Sequence, residues 1–167
     1  MEKLLKRCDK VAFYGIKASQ GNTLTFKRMT GFTEMNTSKN PTEYSRKYVD
    51  EEFEQSDVVG YSPSISFAFD LYLGNDVHED ISKISDNELT GSDAVREIII
   101  VDTKNGNDTD GYYAIKRSFA VIVESEGNGT EAYQCSGTFK VKGEKIFGKA
   151  KTTDDWASCV FTEDSGE

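Results

Sequence analysis

The chain is short of the residues from which catalytic and metal sites are most often built. Three cysteines, Cys8, Cys135 and Cys159, stand among 167 residues, and no two of them form a Cys-x-x-Cys pair. An odd number at wide spacing argues against a disulfide framework and against a structural zinc site. Cys135 shares a strand face with Tyr133, Phe139 and Val141 and reads as a small buried apolar residue. There is one histidine, His78, so a Ser-His-Asp device would have to use it. It lies in the first turn of a helical pattern and reads as a solvated surface residue. Asp76, His78, Glu79 and Asp80 do not all share a helix face, and acids in a first turn need no metal to explain them. The loop N-G-N-D-T-D-G fails as a calcium loop. With Gly111 at its sixth position, the first and twelfth ligands fall on Gly106 and Arg117. Neither Gly-x-x-x-x-Gly-Lys-Ser/Thr nor Gly-x-Gly-x-x-Gly occurs. The expectation is a protein that is not an enzyme and that uses no cofactor and no metal.

Other absences narrow the class further. No apolar run approaches the roughly 18 residues of a membrane span. The N-terminus, M-E-K-L-L-K-R-C-D-K, has charge but no apolar signal core, which predicts a protein made and kept in a cytosol. Proline occurs twice, at Pro41 and Pro63. Positive charge is missing from the middle: no Lys or Arg lies between Tyr48 and Ser82, where Asp and Glu recur. The net charge is −9, a poor basis for gripping nucleic acid through its phosphates. Basic residues gather near the N-terminus and in the C-terminal half, so one end of a molecule is complementary to the other end of a second copy.

What the chain has is period-two alternation. In Y-S-P-S-I-S-F-A-F-D-L-Y-L (61–73), the odd positions Ile65, Phe67, Phe69 and Leu71 form an apolar face. The even positions Ser62, Ser64, Ser66 and Asp70 form a hydroxylic and partly acidic one. Strands are predicted over 11–17 and 23–27 as a hairpin, 32–35, 58–73 with a break or edge at Pro63, 96–102, 112–124, 131–142, 146–152 and 156–163. Lys142-Gly143-Glu144-Lys145 reads as a tight hairpin turn. One amphipathic helix is expected from Asn75 or Asp76, with Val77, Ile81, Ile84 and Leu89 as its stripe. Residues 36–57 are polar, with no clean period, and read as a long loop. The predicted fold is mainly β: an antiparallel sandwich or barrel of about eight strands with one flanking helix, in a single domain over 1–167 with extended termini. Such a chain can satisfy its strand edges by pairing with neighbouring copies, most simply in a closed ring.

Four segments in order, S-R-K-Y-V-D-E-E-F-E-Q-S-D-V-V-G-Y-S-P-S-I-S-F-A-F-D, N-D-V-H-E-D-I, D-A-V-R-E-I-I-I-V-D and Y-Q-C-S-G-T-F-K-V-K-G-E-K-I-F-G-K-A, resemble the tail tube (major tail) proteins of long-tailed bacteriophages infecting Firmicutes. The resemblance spans roughly residues 40–163. It implies a β-sandwich with one helix, assembled as hexameric rings that stack into a hollow virion tail tube through which double-stranded DNA passes without specific binding. It also implies assembly in the bacterial host cytoplasm. The implied partners are further copies, a tape measure, a tail terminator and a baseplate or tip protein. The long loop and the termini would contact the adjacent ring. On that footing Arg46, Lys47, Asp50, Glu51, Glu52, Glu54 and Asp57 are candidates for inter-subunit contact. Ser62, Ser64, Ser66 and Asp70 are candidates for facing the lumen, where a neutral or acidic wall would let DNA slide. Arg96 and Arg117, charges inside apolar strands, are candidates for ion pairs between subunits or within one. Two alternatives stay open. One is a monomeric β-sandwich binding module of carbohydrate-binding or adhesin type, with Tyr112, Tyr113, Tyr133 and Trp156 as an aromatic platform. The other is the inner tube of a contractile injection particle.

Overall fold

Eighteen consecutive residues, Gly111–Asn128, form a single strand, β8, around which the rest is arranged; the computed structural model describes residues 1–166. Before it come β1 (Lys10–Lys17), β2 (Leu24–Arg28), β3 (Phe32–Ser38), β4 (Pro41–Arg46), β5 (Gln55–Tyr61), β6 (Ser64–Asp70), the helix α1 (Asp76–Asp86) and β7 (Val95–Asn107). After it come β9 (Gln134–Val141), β10 (Ile146–Lys151) and β11 (Ser158–Glu163). One edge of β8 bonds to β7 along its first half. Its other edge bonds to β10 over Tyr112–Lys116 and to β9 from Phe119 onward. Every pairing is antiparallel.

This division makes two layers. The strands β1, β2, β11, β10, β8 and β7 close on themselves through the β10–β8 pairing and form a small barrel. From the second half of β8, the strands β9, β6 and β3 continue outward as an open wing that ends at β3. The expected fold class, mainly β with one helix, is the one found. Residues 142–145 are a correction to it. They join no hairpin, because β9 and β10 lie end to end along one edge of β8, and the chain jogs there from wing to barrel. The expected strand over 58–73 is also two strands. Pro63 has no N–H to give, and the chain breaks at Ser62-Pro63 before β6 begins.

Side-chain alternation feeds two cores. In β1, Val11 and Phe13 point into the barrel with Ile99, Val101, Ala114, Ala150 and Cys159. The intervening Ala12 and Tyr14 point the other way, into a larger core with Ile98, Phe119, Val121, Phe139 and the β6 residues Ile65, Phe67 and Phe69. The helix α1 closes that second core with Val77, Ile81 and Ile84. Asn75 caps the helix, its Oδ1 accepting from the N–H groups of Val77 and His78 at 3.1 and 3.3 Å. A polar pin fixes α1 to the sheet. The Tyr14 hydroxyl donates to Asp80 at 2.6 Å, and Arg96 Nε donates to the same Asp80 oxygen at 2.8 Å. Burial, reinforced by the Asp80 charge, holds the Tyr14 hydroxyl well above the usual tyrosine range, so it stays a donor.

Candidate self-association surfaces

One face of the wing is sealed by α1, and among the described residues no helix or strand covers the other. The uncovered face carries Ser64, Ser66, Ala68 and Asp70 from β6. Opposite them in β9 stand Lys140, Thr138, Ser136 and Gln134, and on the β3 side stand Ser38, Asn36 and Glu34. The result is a broad, small-residue, hydroxyl-rich surface with acids towards one end and Lys140 at the other. The odd face of β6 is fully buried in the helix-side core, as the alternation predicts. Ser64, Ser66 and Asp70 therefore do share a surface. Ser62 does not join them. It sits at the break before β6, where its N–H donates to Asn40 O and its carbonyl accepts from Asn40 Nδ2 at 3.0 Å. The polar residues of β9 were legible in the same way, since Q-C-S-G-T-F-K-V alternates as S-I-S-F-A-F-D does. The wing also leaves the outer edge of β3 unpaired.

The expected loop over 36–57 is a correction too. Its first residues end β3, and Pro41–Tyr61 form a two-stranded arm, β4 against β5, with Tyr44 opposite Asp57 and Arg46 opposite Gln55. Nearly every arm residue is exposed. Large apolar side chains lie open to water along it, among them Phe53 at 76% and Val59 at 63% exposure. Arg46 Nη1 donates to the Tyr44 hydroxyl at 2.6 Å, and Glu51 accepts from Gln55 at 2.7 Å. Among the described residues, none of Arg46, Lys47, Asp50, Glu51, Glu52, Glu54 and Asp57 is in an ion pair. An isolated two-stranded ribbon is marginal in water, so an arm of this kind needs a surface from elsewhere to pack on.

The remaining candidates are placed clearly. Arg96 uses its guanidinium within the chain, on Asp80 and on the carbonyls of Asp93 and Val95. Arg117 donates to Gly143 O at 2.6 Å in the jog between β9 and β10. His78 is a correction: it is fully buried rather than solvated. Its Nδ1 accepts from the Tyr72 N–H at 3.1 Å, its Nε2–H donates to Thr30 O at 2.7 Å, and its ring stacks on Phe69. That pairing fixes one neutral tautomer, and burial lowers the imidazole below its usual range. Cys135 and Cys159 are buried, and burial pushes the Cys159 thiol up to about 12, the opposite of what a nucleophile requires. No group of three or more His, Cys, Asp or Glu among the described residues is placed to hold a metal ion. The four aromatics of the platform alternative do not converge. Trp156 packs over the barrel mouth against Phe13 and Tyr112, held by a loop in which Asp154, drawn down to about 2 by hydrogen bonds from Ser158, accepts its bonds. Tyr113 faces Phe147 outside the barrel, and Tyr133 stands at the far end beside Gly127.

No family description matches the chain, and no curated protein matches it. Solved structures do. A chain from the tail of an empty gene transfer agent (GTA) particle, computed with helical refinement and C6 symmetry, superposes with a TM-score of 0.59. It is 14% identical and covers 86% of this chain and 98% of its own. A chain from the virion of the native GTA particle gives a TM-score of 0.54 at 15% identity over the same shares. At such identities the likeness shows a shared fold and no more.

Proposed function

We propose that this chain is a structural subunit of a phage-like tail. Copies join into six-membered rings, and the rings stack into a hollow tube that conducts DNA. The observation that carries the reading is the arm, a ribbon of exposed apolar and acidic side chains that, among the described residues, has no body of its own chain packed along it. The uncovered wing supports it, because wings joined around a ring through edges such as that of β3 bring their polar faces together on the inside. The fold shared with a chain from a C6-symmetric tail supports it further. The lumen wall is then built from Ser64, Ser66 and Asp70 with their β9 neighbours, and the arm and termini contact adjacent subunits. The subunit performs no catalysis. It works in the virion tail, assembled in the host cytoplasm beside a tape measure, a terminator and a tip protein. Negative-stain electron microscopy of concentrated protein, with and without a tail-tip nucleus, is the test. Rings or hollow tubes are expected. A protein that stays monomeric in both conditions refutes the reading.

A further inference from the structure

The arm carries its acids at its tip, and the matching cations stand at its base. Lys39 lies between β3 and the arm. On the next strands, Lys140 occupies the same rung as Ser64 and Ser38. Lys142 and Lys145 follow in the jog, where Arg117 is tied to the Gly143 carbonyl. Lys145 is held below the usual lysine range by partial burial and by the charges of Lys39 and Arg117, so these cations crowd one another. Glu144 is the one acid within the jog, and none of the five cations is in an ion pair among the described residues. At about 3.3 Å of rise per residue, the seven residues of β5 hold the tip some 20 Å from that base. A hydrogen-bonded ribbon cannot double back over such a distance. Each chain therefore presents two complementary surfaces that it cannot join to each other.

We propose that the acidic tip of the arm (Asp50, Glu51, Glu52 and Glu54) docks on the cation cluster of Lys39, Arg117 and Lys145 in a second copy of this chain. This deepens the tail-subunit reading, on which it rests for the existence of that second copy. The contact is heterologous: one copy's arm meets another copy's body, so it propagates around a ring or along a stack. Like charge crowded together at the base of the arm favours the approach of anions, which makes the free cluster a receptor. Phosphates of a nucleic acid are the competing anions. The net charge of −9 opposes them at long range, whereas the tip is supplied in equal number with every cluster.

Two full-length variants test it. One reverses the tip (Glu51→Lys, Glu52→Lys, Glu54→Lys), and the other reverses the cluster (Lys39→Glu, Lys145→Glu). Each alone should lose self-association by at least about tenfold at low salt, because both place like charges across the contact. Mixed in equal amounts, the two should assemble again, since every tip then finds a cluster of opposite sign in the other variant. Carbodiimide cross-linking of wild-type chains, with half the copies isotopically heavy, should join residues 50–54 to Lys39 or Lys145 between light and heavy copies. Mixing that fails to rescue, or cross-links from the tip to other sites, overturns the docking site. Rings observed in that case leave the tail reading standing. No rings and no inter-copy cross-links refute both. Cross-links at the proposed site without rings support the docking and count against the tail. A labelled DNA duplex that binds the wild type, and not the cluster variant, while tip cross-links are absent, reassigns the cluster to nucleic acid.

Discussion

At the residue scale, His78 shows where sequence reading stops. An isolated histidine flanked by Val77 and Glu79 looks like part of a solvated helix turn. Its burial depends on the turn just before the helix, which carries Tyr72, and on a loop that returns from far along the chain with Thr30, and no local pattern announces the second. The consequence is measurable. Burial lowers its pKa in the fold, outweighing the Thr30 carbonyl and the Asp70 charge, which raise it. The unfolded chain therefore takes up a proton near pH 6.5 that the fold resists. Stability from this residue is fully present above pH 6.5 and falls as the pH drops below that value, by up to about 1.4 kcal/mol per pH unit until the folded pKa is reached. Urea midpoints measured from pH 7.5 to 5 should show the decline, and His78→Gln, which can keep both hydrogen bonds without titrating, should flatten it. An unchanged slope in that variant assigns the pH dependence elsewhere. The pin on α1 gives a second residue-scale prediction. Asp80→Ala strands the Tyr14 hydroxyl and the half-buried Arg96 charge and should cost about 3 kcal/mol. Tyr14→Phe, which removes the donor and leaves the ion pair, should cost only about 1 kcal/mol in the same denaturation assay. Equal losses would show that the hydroxyl, not the ion pair, holds the helix.

At the scale of elements, legibility followed burial. The strand β6 and the helix α1 each bury one face only, so period two and period 3.6 were written plainly in S-I-S-F-A-F-D and in the spacing of Val77, Ile81 and Ile84. The jog at 142–145 was hidden because turn residues look alike whether a chain reverses or merely steps between layers. The arm was hidden for the opposite reason to β6. Both faces of β4 and β5 meet water, so neither selects apolar residues at alternate positions, and 36–57 reads as a loop. Its strands become intelligible once the arm is seen as a surface waiting for another chain. Replacing residues 44–57 by Asn-Gly puts a two-residue turn between the paired Glu43 and Val58. Because the arm strands are exposed nearly throughout, stability should change by no more than about 0.5 kcal/mol. Assembly into rings or tubes should be lost. Calorimetry and electron microscopy of one preparation separate the two effects. A large fall in Tm would show that the arm supports its own body, and intact tubes would remove it from the contact.

At the scale of the whole molecule, the proposed tube would give the acidic sequence and the polar wing one physical task, passing a polyanion without holding it. Apart from Lys140 at one end, the wing face is made of side chains too short to reach for phosphate, with Asp70 and Glu34 towards the other end. Beyond Lys140, the nearby positive charge is the cluster around Lys145, which the proposed docking of a neighbour's arm would neutralise. A tube built this way presents DNA with hydroxyls and a weak negative field, so there is little to bind and little friction. The class of this surface was legible in β6 alone. Its extent was not, because sequence cannot say that β9 and β3 lie on either side. If the face lines a lumen, Ser64→Lys with Ser66→Lys places two cations per subunit, repeated round every ring, against the passing phosphates. Each phosphate contact made by such cations adds to a strongly salt-dependent retention. The monomer should fold normally and tubes should still form, since both positions lie on the uncovered face. Ejection of DNA from particles carrying the variant should slow or stall at low salt and recover as salt is raised. Ejection at the wild-type rate across that range would mean that the face looks outward, and that the wall of the tube is made from another surface of the wing.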